Sequence, residues 1–140
     1  MKILIICTGN SCRSQMAEAF LKSFDDSLVV YSAGTNPEDN VNPFAIEVMK
    51  EVGIDISKNK TKHINNFVSE DFDYVISVCD EAEKNCPVFS GNVKKKMHFG
   101  FPDPAKIKGP YNFVLNKYRE IRDQIKEKFY QFYISEIKGK

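Results

Sequence analysis

The segment between Cys7 and Ser14 has the residue types and the spacing of a site for a tetrahedral oxyanion. Cys7 and Arg13 lie six positions apart, and the residues between them are small or turn-favouring: Thr8, Gly9, Asn10, Ser11 and Cys12. Such residues allow backbone N–H groups to point inward at an anion, and an arginine can bind two of its oxygens. The same positive field stabilises a thiolate, so we expect the pKa of Cys7 to lie below the free value of about 8.5. The segment predicts a nucleophilic Cys7 in a loop whose residues Thr8 to Ser14 bind the substrate, with the Ser14 hydroxyl donating to the sulfur.

The segments on either side of this loop must place it between a strand and a helix. Residues 2–6 form a short, β-branched apolar run, which is typical of a strand buried on both faces. From Ser14 onward, apolar residues recur at helical spacing, and the positive N-terminal end of such a helix favours an anion. The alternative is a plain turn with a buried cysteine and a surface arginine. The flanking strand, the glycine and the following helix favour the catalytic interpretation.

The rest of the chain continues to alternate strands and helices. The sequence predicts further strands over residues 28–33, 74–78 and 96–101, and helices over residues 43–52 and 113–137. This alternation predicts an α/β fold, a three-layer domain in which a four-stranded parallel sheet is flanked by helices. We expect residues 1–140 to form a single domain. Ligands of such sheets bind beyond the carboxyl ends of the strands, where Cys7, Cys79 and the loop after Lys96 are expected to meet.

Composition narrows the classes of function. The chain has 20 basic and 19 acidic residues and a formal charge of +1, so it has no overall field that favours nucleic acid or an anionic membrane. Only about six apolar residues follow one another near Met1, whereas a membrane span needs roughly 20. Four cysteines in a chain without a secretion signal are more often reduced and catalytic than structural. We therefore expect a cytoplasmic monomer that binds neither nucleic acid nor membrane.

Several segments resemble one known superfamily. Cys7-Thr-Gly-Asn-Ser-Cys-Arg-Ser14 resembles the oxyanion loop of the low-molecular-weight tyrosine phosphatases, and residues 31–34 resemble their second-strand signature. Residues 101–104 resemble the element that carries their general acid, here Asp103. Residues 77–87, with Cys79 and Cys86, are similar to the redox segment of thioredoxin-coupled arsenate reductases. The resemblance covers residues 2–128, and it implies catalytic roles for Cys7, Arg13, Cys79, Cys86 and Asp103.

Three cysteines supply what the reduction of arsenate needs beyond a phosphatase site. If Cys7 attacks arsenate while Asp103 protonates the departing oxygen, a covalent arseno-cysteine forms. Cys79 can then attack Cys7, so that arsenite leaves with the electron pair and a Cys7–Cys79 disulfide remains. Cys86 can attack Cys79 and free Cys7, and thioredoxin, as the resemblance implies, reduces the final disulfide. Phosphate and sulfate are expected to compete with arsenate for the loop.

The interval between Cys79 and Cys86 sets a condition on this sequence of steps. If it is helical, the two Cα atoms lie roughly 10 Å apart at a rise of 1.5 Å per residue. A disulfide requires them within about 7 Å, so the segment must partly unwind.

Two other functions stay open. A phosphatase acting on phosphotyrosine or small phosphate esters would not need Cys79 or Cys86. A redox sensor or oxyanion-binding regulator would signal through the disulfide between them. Ala105 and Lys106 stand where the resemblance places aromatic residues in phosphatases, which favours a small inorganic oxyanion.

We expect no tightly bound cofactor and no zinc site, because the chain has no Cys-x2-Cys pair and His63 and His98 lack ligand spacing. By the resemblance, some related reductases bind potassium at the positions of Asn10, Glu18 and Ser32. Lys62 lies near the position of a further carboxylate in those reductases, so its ammonium group could replace the ion. The cation is left unassigned. Cys12 is assigned no essential role, because an inward-facing backbone aims its side chain away from the anion.

Overall fold

The computed structural model describes residues 1–139. Four β-strands alternate with four α-helices in chain order. The strands are β1 Lys2–Cys7, β2 Val29–Gly34, β3 Phe72–Ser77 and β4 Val93–His98. The helices are α1 Arg13–Phe24, α2 Pro43–Glu51, α3 Asp80–Lys84 and α4 Tyr111–Phe132. Short 3₁₀ turns occupy Ile64–Asn66 and Pro104–Lys106, and a π-helical turn, Tyr133–Lys138, continues from α4.

The four strands form one parallel sheet in the order β2-β1-β3-β4. Strand β1 lies in the middle, and its five residues after Lys2 are buried because helices cover both faces of the sheet. In register, Cys7 pairs with Gly34 and Ile6 with Ser77, so neighbouring strands end at nearly the same level. This arrangement confirms the predicted α/β fold and brings the loops after the strands to one edge of the sheet.

The two faces of the sheet carry different helices. On one face, Glu18 of α1 accepts a hydrogen bond from Ser32 of β2, and Phe132 of α4 packs edge-on against Tyr74 of β3. On the opposite face, α3 covers the sheet and buries Ala82 completely. Helix α2 packs against α4. It begins where the Asn42 side chain accepts hydrogen bonds from the first N–H groups of the helix and Pro43 takes the first position.

The fourth strand begins three residues earlier than predicted. Strand β4 contains three consecutive exposed lysines, which conceal its start from a hydrophobic pattern. Charged residues are common on edge strands, where they discourage pairing with other chains. After His98 the chain leaves the strand and bends over the end of β3, where Phe99 N–H donates to Ser77 O at 2.8 Å.

The interval between Cys79 and Cys86 is helical only in part. Helix α3 has five residues and ends at the Asn85 cap, before Cys86 is reached. Pro87 follows Cys86, and a residue before proline is disfavoured in helical conformation. The last predicted helix begins two residues earlier, at Tyr111, and its end widens into the π-helical turn. Within residues 1–139, no helix is both long and apolar enough to cross a membrane.

Candidate active site

A cavity of about 620 Å³ opens at the carboxyl ends of the strands. The structure brings together four predicted catalytic side chains on its wall: Cys7, Arg13, Cys79 and Asp103. Loop residues complete that part of the wall: Thr8, Gly9, Ser11 and Cys12. Asn10 and Ser14, also predicted to bind substrate, are instead completely buried behind the loop. Cys86 does not reach this cavity in the described structure.

The Cys7 sulfur is held from behind by two hydrogen bonds. Ser14 Oγ lies 2.8 Å from it, and Asn10 N–H donates to it at 3.1 Å. Because Ser14 Oγ already accepts from Asn10 Nδ2 at 2.9 Å, its own hydrogen is available for the sulfur. Burial raises the pKa of the Cys7 thiol, while the bonds from Ser14 and Asn10 lower it. The prediction of a lowered pKa for Cys7 is therefore wrong in direction, because desolvation of the thiolate outweighs its hydrogen bonds.

Asn10 organises the loop behind Cys7. Its φ of 51° lies in the left-handed region, which asparagine tolerates better than most residues. Its Nδ2 donates to Ser14 and Ser32, and its Oδ1 accepts from Lys62 N–H at 2.9 Å. Gln15 Nε2 donates to Asn10 O at 3.0 Å and is fully buried. Gln15 carries no functional signal in the sequence, because nothing in its spacing distinguishes it from an ordinary first-turn residue.

The residues considered for potassium do not fit a cation here. Glu18 Oε1 accepts from Ser32 Oγ at 2.5 Å, and Glu18 Oε2 pairs with Lys22 Nζ at 2.5 Å. Donors therefore already bind both carboxylate oxygens, and the nearby Asn10 Oδ1 likewise accepts from N–H groups. Lys22 Nζ forms the ion pair with Glu18, while Lys62 Nζ donates to Lys60 O and its charge also interacts with Glu18. The i, i+4 spacing of Glu18 and Lys22 was a signal for this pair.

Arg13 and Asp103 face each other across the cavity entrance. Arg13 NH1 donates to Phe101 O at 3.0 Å, and NH2 lies 3.8 Å from Asp103 Oδ2. Asp103 Oδ1 accepts from Ala105 N–H at 3.0 Å, so it caps the turn that follows. Asp103 can therefore serve both as a turn residue and as a site residue. One carboxylate oxygen holds the backbone while the other stays beside the guanidinium.

Cys79 sits opposite Cys7 at the start of α3. Its Sγ lies 3.3 Å from Thr8 Oγ1, and the same hydroxyl donates to Glu81 Oε2 at 3.4 Å. Thr8 therefore links the oxyanion loop to the redox segment. Cys79 is 5% exposed, yet it lines the same cavity as Cys7. A second thiol in reach of the oxyanion pocket is a feature that simple ester hydrolysis does not need.

Cys86 opens instead onto a second cavity of about 270 Å³, on the α3 face of the sheet. Val75, Lys96 and His98 are among the residues that line it. Burial raises the pKa of the half-buried Cys86 thiol, and Lys96 lowers it. All four cysteines are free thiols.

Comparison with known proteins is decisive for the family. Residues 2–140 match the family model described as low molecular weight phosphotyrosine protein phosphatase. The chain belongs to this family. It is 46% identical over 132 residues to arsenate reductase 2 of Staphylococcus saprophyticus, covering 94% of this chain and 95% of that protein.

Solved structures agree with this family assignment. An arsenate reductase in the oxidized state has a TM-score of 0.77 and 35% identity, covering 91% of this chain and 92% of that one. The thioredoxin-dependent arsenate reductase of Corynebacterium glutamicum has a TM-score of 0.66 and 26% identity, covering 96% of this chain and 60% of that one. These findings confirm the resemblance inferred from the motifs.

Two further residues, Cys12 and Glu38, line the active-site cavity. Cys12 is buried at the start of α1, where its carbonyl accepts from Met16 N–H at 3.0 Å. Burial raises the pKa of the Cys12 thiol, which keeps it protonated and unreactive. Glu38 lines the rim beside Gly9, where a Cβ would lie 2.9 Å from Glu38 Cγ. The sequence offered no signal for Glu38, which only the folding of a distant loop brings to the cavity.

Proposed function

We propose that this protein reduces arsenate to arsenite. This proposal rests on the observation that Cys79 opens onto the cavity that Cys7 and Arg13 also line. One thiol and an arginine are sufficient to transfer a phosphoryl group, whereas reduction of arsenic(V) requires two electrons and hence a second thiol. The similarity to proteins named as arsenate reductases supports this function.

In the first half-reaction, the Cys7 sulfur attacks arsenic. Because burial favours the thiol form, the proton must leave Cys7 before or during the attack, and the bonds from Ser14 and Asn10 reduce that cost. Arg13, which lines the same cavity, binds the oxyanion. Asp103 donates a proton to the departing oxygen, which leaves as water, and a Cys7–arsenic bond replaces the broken arsenic–oxygen bond.

In the second half-reaction, two thiols supply the two electrons. The Cys79 thiolate attacks Cys7 Sγ, the sulfur–arsenic bond breaks, and its electron pair stays on arsenic, which leaves as arsenite. Cys86 then attacks Cys79, and Cys7 departs as a thiolate. The reverse order is disfavoured by position, since Cys79 and not Cys86 lines the cavity with Cys7.

An external dithiol must reduce the final Cys79–Cys86 disulfide, and we propose thioredoxin for this role. The similarity to a protein named as thioredoxin-dependent supports the assignment. A reducing compartment would keep the four cysteines as free thiols, so we propose that the protein is cytoplasmic. We further propose that it is a monomer and needs no tightly bound cofactor.

The direct test is arsenate-dependent oxidation of NADPH in the presence of thioredoxin and thioredoxin reductase. We expect one NADPH to be consumed for each arsenite released, and no consumption by the Cys79→Ser variant. Hydrolysis of p-nitrophenyl phosphate without arsenate-dependent NADPH oxidation would contradict the proposal.

That contrary outcome would favour phosphatase activity, the second candidate, which the family description supports. The cavity wall argues against phosphotyrosine as the main substrate. Phe101 is the one aromatic residue on its described lining, and acidic side chains share the rim: Glu38, Asp80 and Glu81. A phosphotyrosine ring would find few surfaces on which to stack.

A further inference from the structure

Helix α3 needs tertiary contacts to stay folded. A five-residue helix is unstable in water by itself, because nucleation is costly and few hydrogen bonds offset that cost. The acidic residues in its first turn interact favourably with the positive end of the helix dipole, but at the surface this interaction stabilises the helix only weakly. Ala82, fully buried against the sheet, is one anchor, and the contact from Thr8 to Cys79 and Glu81 is another.

His98, at the end of β4, provides a third anchor. Its Nε2 lies 3.0 Å from Asp80 Oδ1, while its Nδ1 lies 2.6 Å from Ser77 Oγ and 3.7 Å from Glu83 Oε2. The imidazole thus joins the ends of β3 and β4 to α3. A Cβ at Gly100 would lie 3.2 Å from His98 Nε2, so the ring is also closely packed by the backbone that follows.

The proposed exchange between cysteines requires these contacts to break. The Cys86 thiolate must form a bond to Cys79 Sγ while the Cys7–Cys79 bond breaks and Cys7 leaves as a thiolate, a step that needs no further electrons. Cys79 faces the active-site cavity, but Cys86 opens onto the second cavity, which His98 also lines. Since Cys79 and Cys86 open onto different cavities and α3 lies between them in the chain, α3 must rearrange on the side that His98 holds before their Cα atoms can come within the roughly 7 Å that a disulfide allows.

We propose that His98 is a positioning residue for the redox step, holding α3 folded so that Cys86 reaches Cys79 only after Cys79 has reacted with Cys7. This role rests on the proposed arsenate reduction. Without this contact between His98 and α3, an oxidant would join Cys79 to Cys86 directly, and neither thiol would be left to reduce arsenic. His98 lies outside the described lining of the active-site cavity, so it acts through Asp80 and not on substrate.

The test measures Cys79–Cys86 disulfide formation in a Cys7→Ser background, with diamide as the oxidant and digestion with mass spectrometry as the readout. We expect His98→Phe to form the disulfide about two- to fivefold faster, as expected for loss of one exposed polar contact to a carboxylate. His98→Gln should restore part of the wild-type rate, because its amide can still bond to Ser77 or Asp80. His63→Phe is the matched control, since that histidine holds only a local turn through Asn65 N–H.

Energetic coupling between His98 and Asp80 distinguishes a specific contact with α3 from general destabilisation of the protein. Asp80→Asn alone should also accelerate the oxidation, and adding it to His98→Phe should give much less than the product of the two effects. Hydrolysis of p-nitrophenyl phosphate by His98→Phe with Cys7 intact should stay at the wild-type rate. An unchanged rate of Cys79–Cys86 oxidation in His98→Phe, or an equal acceleration in His63→Phe, would overturn the proposed role of His98.

This assay contains no arsenate, so its result is independent of the proposed function. A chain that failed to reduce arsenate but showed the His98 effect would refute the reductase and support control of α3 by His98. A chain that reduced arsenate but showed no effect of His98→Phe would support the reductase and refute the control of α3 by His98.

Discussion

Replacing Ser14 by alanine should make Cys7 a weaker nucleophile at neutral pH. The Ser14 hydroxyl lies 2.8 Å from the Cys7 sulfur in a completely buried setting, and its hydrogen bond lowers the pKa of that thiol. Removing the hydroxyl withdraws a donor from the thiolate and leaves the backbone N–H groups of Asn10, at 3.1 Å, and of Ser14 behind the sulfur. The charged form is destabilised, so the pKa of Cys7 must rise further.

The size of the effect follows from the value of one hydrogen bond to a charged group. Such a bond contributes about 1.5–3 kcal/mol, and one pKa unit corresponds to about 1.4 kcal/mol. Ser14→Ala should therefore raise the pKa of Cys7 by about 1–2 units. At any pH below that pKa, the thiolate fraction should fall about 10- to 100-fold, and the rate of the first half-reaction should fall with it.

Alkylation with iodoacetamide measures the thiolate directly. The rate of Cys7 labelling, followed on the digested peptide by mass spectrometry between pH 6 and pH 10, gives the midpoint for each variant. Ser23→Ala is the matched control, because Ser23 is also in α1 but its hydroxyl bonds only to Phe20 O. The reasoning is refuted if Ser14→Ala and Ser23→Ala show the same midpoint as the unmodified chain.

Three further outcomes are expected. Asp103→Asn should slow the pre-steady-state formation of the arseno-cysteine about 10²–10⁴-fold while Cys7 still alkylates, and wild-type rates would leave Asp103 as a turn residue only. Cys86→Ser should release about one arsenite per chain and then stall with a Cys7–Cys79 disulfide, whereas Cys79→Ser should release none; repeated turnover by both with thioredoxin would disprove the relay. Two arginines of α4 lower the pKa of Glu51, so its contribution to stability is present above the ordinary glutamate pKa and lost as pH falls through the lowered value. Glu51→Gln should thus lower Tm by a few degrees at pH 7, as expected for about 1 kcal/mol, and calorimetry should show that gap closing toward pH 3.

Strands with apolar runs were predictable, and the strand with charged residues was misplaced. Strand β1 is buried on both faces, so its hydrophobic run identifies it in the sequence. Strand β4 lies at the sheet edge and its lysines are exposed, so its start carried no hydrophobic signal. Helicity between Cys79 and Cys86 was only a condition on the cysteine spacing, and the end of α3 before Cys86 agrees with Pro87, which is visible in the sequence.

The oxyanion loop is the part of the site that the sequence by itself determined. Its place in the chain is local, since Cys7 ends a strand and Arg13 begins a helix, whereas bonds from distant backbone, such as Asn36 N–H to Thr8 O, hold its shape in the folded protein. The parallel order of the strands, readable from their alternation with helices, then explains why Cys79 and Asp103 arrive at the same edge.

Only the tertiary structure decided how those groups behave. The direction of the Cys7 pKa depends on how completely distant segments remove water from the sulfur, and desolvation is not encoded in the spacing of neighbouring residues. The hold of His98 on α3 joins residues 18 positions apart, and such through-space contacts exist only once the sheet has brought two strand ends together.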